Sequence, residues 1–151
     1  MQTAKQLSVS LVNKPGRLAA MLTALNKEKV SFRALVVMDT GVRGTVRFVP
    51  DELSAATDVL ERLSVRYEAT DVLLVEVSKQ AGAFRKICER LAAEHLNIDY
   101  VYASFAERGS KGGGLAVIKV NNLAKAQRVL SENGGTNARR QFPVRRPMYA
   151  R

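Results

Sequence analysis

The stretch Asn13-Lys14-Pro15-Gly16-Arg17-Leu18 is where residue types and spacing point most directly to chemistry. Proline and glycine stand side by side between an alternating apolar run and residues of helical spacing, so the stretch reads as a strand-to-helix turn. A helix N-terminus carries unpaired N–H groups and partial positive charge, which places the amides of Gly16, Arg17 and Leu18 to receive a carboxylate. Pro15 sets φ near the value a helix start needs, and Gly16 permits a backbone approach that a side chain would block. The same residues serve equally as a tight connection that the fold needs whether or not anything binds. In that case Asn13 is an ordinary turn residue and Arg17 a solvated helix charge.

Other reactive residue types stand alone. His95 has no His or Cys at ligand spacing and reads as a helix-end residue interacting with the last carbonyls. Cys88 is the single cysteine, which excludes an intrachain disulfide and a cysteine-clustered metal site. The serines lack a nucleophile elbow, and Asp71 and Asp99 have no spacing that makes a catalytic pair. The run Gly109-Ser110-Lys111-Gly112-Gly113-Gly114 lacks the Gly-Lys-Ser/Thr ending of a phosphate loop and reads as a hairpin tip. No enzyme activity, metal or cofactor is expected.

The elements that position the turn occur twice. At an offset of 66, Leu7, Val9 and Leu11 fall on Leu73, Val75 and Val77, an alternation that suits a half-buried strand. Gly16 falls on Gly82, and Leu18, Met21, Leu22 and Leu25 fall on Phe84, Ile87, Cys88 and Leu91 with the i, i+3, i+4, i+7 spacing of one helix face. Second strands pair Phe32, Ala34 and Val36 with Ile98, Tyr100 and Tyr102. Beyond the glycine-rich turn the offset grows to 70, with third strands over 45–49 and 115–120. Asp51 and Asn121 are expected to cap helices whose faces are Leu53, Ala56, Val59, Leu60 and Leu123, Ala126, Val129, Leu130. A strand from near Tyr67 closes the first unit and runs into Val72 to Val77 of the second, with almost no linker.

This order predicts an α+β protein of two ferredoxin-like βαββαβ repeats, antiparallel sheets with helices on one face, joined side by side. The boundaries fall at 1–70, 71–135 and a basic tail over 136–151. Units of about 65 residues are small for independent stability, so joining the sheets would bury further apolar area.

The turn Asn13-Lys14-Pro15-Gly16-Arg17-Leu18 resembles the N-x-P-G-x-L signature of ACT domains, regulatory modules in enzymes of amino-acid metabolism. The second copy, Lys79-Gln80-Ala81-Gly82-Ala83-Phe84, keeps the glycine and replaces the proline with Ala81. The two copies cover roughly residues 5–132 and are similar to small stand-alone proteins built of two ACT domains. The resemblance implies an amino acid held between this loop and the second strand of a neighbouring domain. It carries over Asn13, Gly16, Arg17 and Leu18, with Lys79, Gly82, Ala83 and Phe84, as loop residues. Ala34, Leu35 and Val36, with Tyr100, Val101 and Tyr102, would be the facing strands. Neither loop has an ionisable group dedicated to a distinctive ligand side chain, which favours a small or apolar amino acid.

The remaining partners follow from charge and edges. The 151 residues carry a net charge of +10, but Arg139, Arg140, Arg145, Arg146 and Arg151 place half of that excess in the tail. RNA-recognition modules share the βαββαβ order, yet their aromatic-glycine pattern is missing and Phe32 and Phe48 read as core; nucleic acid is therefore disfavoured. Free sheet edges favour a homodimer, and a ligand-free interaction scaffold is the main rival to a sensor with an unknown regulated partner. No segment has the roughly 18 to 20 apolar residues of a membrane span, and no apolar signal core follows Met1, so a cytoplasmic, membrane-free protein is expected. After Glu132 alternation is poor and Pro143 disfavours a strand; the second unit's missing strand is expected from Arg140 to Val144 or from another chain.

Overall fold

In the computed structural model, residues 1–39, 41–107, 109 and 111–131 are described. They form β1 (Gln2–Val12), α1 (Arg17–Lys27), β2 (Phe32–Asp39), β3 (Arg43–Pro50), α2 (Leu53–Arg62), β4 (Tyr67–Val77), α3 (Ala83–Ala93), β5 (Ile98–Ser104), β6 (Gly114–Val120) and α4 (Leu123–Ser131). Every element expected from the two repeats up to Glu132 is present. The strands form one six-stranded sheet in the order β2-β3-β1-β4-β6-β5, with each neighbouring pair antiparallel.

The two units share strands rather than merely abutting. The second half of β1 pairs with β3 from Leu7 to Val12, while its first half pairs with β4, setting Gln2 opposite Leu74 and Lys5 opposite Asp71. In turn, β4 closes the first unit at Tyr67 to Thr70 and opens the second, where Leu73 to Val77 pair with β6. The strand position beside Val72–Leu74 is thus taken by Gln2 to Ala4, from the opposite end of the chain. Arg140 to Val144, expected as a candidate for a closing strand, lies outside the described residues.

Residues directly opposite in a ladder share a face, so the register sorts the side chains. Leu7, Val9, Val46 and Phe48 face α1 and α2, where Met21, Leu25, Ala56, Val59 and Leu60 are buried with them. Leu73, Val75, Val77, Ala116 and Ile118 face α3 and α4 with Leu91 and Ala126. All four helices therefore cover one face, and each fully buried Leu or Phe contributes roughly 1.5–3 kcal/mol of transfer free energy. Phe32, expected in the core, stands at the sheet edge and is partly exposed, packed edge-on against buried Phe48.

The opposite face carries no helix among the described residues, yet Val49, Val72, Leu74 and Val117 are buried there. Ala34 from one edge strand and Tyr102 from the other pack on this same cluster. Six strands of accumulated right-handed twist let the sheet curl until its outer strands approach across this face, making it concave.

The helix ends repeat as faithfully as the faces. Lys29 and His95 both adopt left-handed backbone, at φ 57° and 56°, and the next amides, of Val30 and Leu96, donate to Leu25 and Leu91 carbonyls. His95 thus closes its helix through its backbone N–H to Ala92. Asp51 and Asn121 are not helix caps: their side chains accept the amides of Ser31 and Asn97, over 2.9 and 3.0 Å, and pin the start of β2 and β5 to the end of β3 and β6. The residue before α2 is Glu52, and Asn122 caps α4 by accepting from the Lys125 amide.

Candidate functional site

The two strand-to-helix turns have the same backbone. Gly16 lies at φ 85°, ψ −13° and Gly82 at φ 80°, ψ 4°, each immediately before the first helical residue. Because Ala81 stands where the first copy has Pro15, glycine and not proline is the common determinant: left-handed backbone is open to glycine without steric cost. Pro15 belongs to the turn, two residues ahead of α1. No heavy atom lies within 4 Å of a Cβ built on Gly16, so its positive φ, rather than a close approach within this chain, excludes a side chain. The Arg17 amide is spent on the Lys14 carbonyl and that of Ala83 on Gln80, so both are satisfied inside their own turns.

Asn13 fastens the first turn to the adjacent hairpin. Its amide nitrogen donates to Asp39 Oδ1 over 3.2 Å and to the Gly41 carbonyl over 3.1 Å, and its backbone N–H reaches Val42. Asn13, Gly16 and Arg17 are exposed, whereas Leu18 packs on the first core. In the second unit Lys79 is exposed, and Gly82, Ala83 and Phe84 are half-buried, the Phe84 ring meeting Phe105 edge-on.

The facing-strand candidates divide between two places. Ala34, Leu35 and Val36 line a crevice of about 300 Å³ with Tyr102, where the two edge strands approach. Tyr100 opens instead onto a larger groove beside Arg47, while Val101 points to the helix side and is exposed. None of the loop candidates lines either space, so neither space joins a loop to the expected facing strands.

The concave face is organised by a residue that periodicity does not reveal. Gln6 is 0% exposed, the one buried polar residue of the described chain. Its Nε2 donates to the Tyr100 hydroxyl over 2.6 Å, and its Oε1 accepts from the Tyr102 hydroxyl over 2.9 Å. Burial pushes the Tyr102 phenol far above its ordinary value, helped by Tyr100 and only partly opposed by Arg47. The Arg47 guanidinium carbon sits 3.9 Å from the centre of the Tyr100 ring, a cation–π contact. In the sequence, Gln6 and Arg47 are polar residues at alternating strand positions, indistinguishable from solvent-facing ones.

Among the described residues no helix is long and apolar enough to cross a membrane, and no group of three or more His, Cys, Asp or Glu is placed to hold a metal ion. No curated protein matches the chain significantly. Solved structures do. Protein BT0572 from Bacteroides thetaiotaomicron is 32% identical with a TM-score of 0.79, over 86% of this chain and 88% of that one. The regulatory subunit of aspartate kinase from Thermus thermophilus, in a ligand-free form, shares the fold at 15% identity and a TM-score of 0.59, over 87% of this chain and 97% of its own. That of Thermus flavus does so at 14% and 0.57, over 86% and 93%. The doubled βαββα pattern, the paired glycine turns and the joined sheet agree with a family model described as an ACT domain pair, which matches residues 2–137; the chain belongs to that family.

Proposed function

We propose that this protein is a non-catalytic cytoplasmic regulator that binds an amino acid at its two glycine turns. The observation that carries this reading is the identity of the two turns. Gly16 and Gly82 keep one left-handed geometry although the flanking residues differ. Neither groove joins a loop to the expected facing strands of its own chain, so the ligand would sit between a loop and a strand of a second copy. The edge strands β2 and β5 supply such surfaces, with Leu35 and Val37 exposed on one and Val101 on the other. Edge pairing would form a homodimer, and a ligand bridging it would shift the population of a closed state toward an as yet unknown partner.

A thermal-shift panel of the common amino acids tests this. A selective rise in Tm is expected, because a ligand of the native state stabilises it. In Gly16→Val and Gly82→Val, each referred to its own ligand-free Tm, the rise should vanish at the altered turn. A folded dimer that responds to no amino acid rejects the sensor reading. It would favour the second reading, a ligand-free interaction scaffold, which draws on the exposed Phe32, Leu35 and Val37 of β2 and on Phe105, 60% exposed after β5.

A further inference from the structure

A groove of about 870 Å³ crosses the concave face where the two units meet, and no residue of either glycine turn lines it. Its lining carries Arg43, Arg47, Arg66 and Lys119 against a single carboxylate, Glu68. Hydroxyls stand between the charges: Ser8 and Thr45 from the first unit, Thr70 at the shared strand, and Tyr100 from the second. Cations gathered in a concavity walled by protein focus the field there, and the groove is therefore attractive to anions.

Three of these cations are held in place. Arg43 donates through Nε to Ser10 Oγ over 2.8 Å and reaches the Ser10 carbonyl at 3.3 Å. Lys119 is three-quarters buried at its side chain, donates to the Val120 carbonyl and lies 3.6 Å from Asp99 Oδ2. Arg47 sits over the Tyr100 ring, whose hydroxyl is in turn held by Gln6. Its Nε is buried and has no hydrogen-bond partner among the described residues. A buried N–H of a charged group without an acceptor is costly, and guanidinium groups pair favourably with oxyanions.

We propose that this groove is a binding site for a small oxyanion-bearing ligand, a phosphate or polycarboxylate, with Arg47 and Lys119 as its principal contacts and the hydroxyls as secondary donors. Arg47 belongs to the first unit while Tyr100 and Lys119 belong to the second, so the ligand would clamp the curl of the sheet and couple the two units. The site is independent of amino-acid binding at the turns.

The test is calorimetric titration of the full chain with inorganic pyrophosphate and, separately, with citrate, in chloride buffer at low ionic strength. Saturable one-to-one binding of either is expected, and the tighter of the two distinguishes a phosphate from a carboxylate source. Arg47→Gln and Lys119→Gln should each weaken it at least tenfold, whereas Lys27→Gln, on the outer end of α1, should not. If Arg47→Gln does not fold, Lys119→Gln and the Tyr100 ring resonances on titration carry the decision. Absence of saturable binding to both anions, equal affinity in the groove variants and the wild type, or preferential salt-sensitive binding of single-stranded oligonucleotides would each overturn the proposal.

Discussion

The Tyr102 hydroxyl donates to Gln6 Oε1 over 2.9 Å, joining residues 96 positions apart. One lies on β1 and the other on the outermost strand of the second unit, three strands away in the sheet order. With the bond from Gln6 to Tyr100, this contact ties the curled sheet across its concave face.

Gln6→Ala should cost about 1–3 kcal/mol, because it leaves tyrosine hydroxyls without a partner in a partly buried site. Urea unfolding measures it. The double variant Gln6→Leu with Tyr102→Phe should recover part of the loss, since both members of one hydrogen bond are then replaced by apolar groups.

Stability should fall on the alkaline side. The folded state raises the Tyr102 phenol above its ordinary value of 10.0, chiefly by burial, and also raises Tyr67, chiefly through its hydrogen bond to Glu61. The native protein then keeps protons that the unfolded chain loses, so this contribution is complete below about pH 10 and is lost as pH rises through the native values. Urea midpoints followed from pH 8 to pH 11.5 should decline, and Tyr102→Phe should flatten the decline.

Removal of residues 1–5 should affect the second unit more than the first. It uncovers β4 from Asp71 to Leu74 and deletes the 2.7 Å ion pair of Lys5 with Asp71. An uncovered edge exchanges its amides and recruits other chains. Hydrogen exchange should accelerate at those residues, and sedimentation should show larger assemblies than the intact chain forms at equal concentration.

Backbone handedness gives opposite effects at two sets of positions. Gly16→Ala and Gly82→Ala should each lose about 1–2 kcal/mol by forcing a Cβ into left-handed backbone, and Gly82→Ala also presses on the Arg85 guanidinium at 3.3 Å. Lys29→Gly, Ser64→Gly and His95→Gly relieve the same strain at φ 54–57° and should gain about 0.5–1 kcal/mol. Thermal unfolding of the five single variants checks both signs.

Local chemistry was enough to read most of the architecture. Alternation at Leu7, Val9 and Leu11, helical spacing at Met21 and Leu25, and their echoes at Leu73 and Leu91 depend on periodicities that each segment carries by itself. The glycine turns were equally legible, because a positive φ at Gly16 or Gly82 is a property of one residue. Asp51 and Asn121 show where such reading fails: each is a sound capping type two positions ahead of a helix, and the actual acceptor role depends on Ser31 or Asn97 arriving beside it at the start of another strand.

The sequence by itself thus determined two βαββα units, their helix-facing cores and a family resemblance. Only the tertiary structure decided that Gln2 to Ala4 lie beside the second unit, that the sheet curls, and that Gln6, Arg47 and the tyrosines meet across it. Those relations come from strand register and accumulated twist, which sum over six strands and leave no mark at any one position. A polar residue at an alternating strand site looks solvent-facing until another strand folds over it.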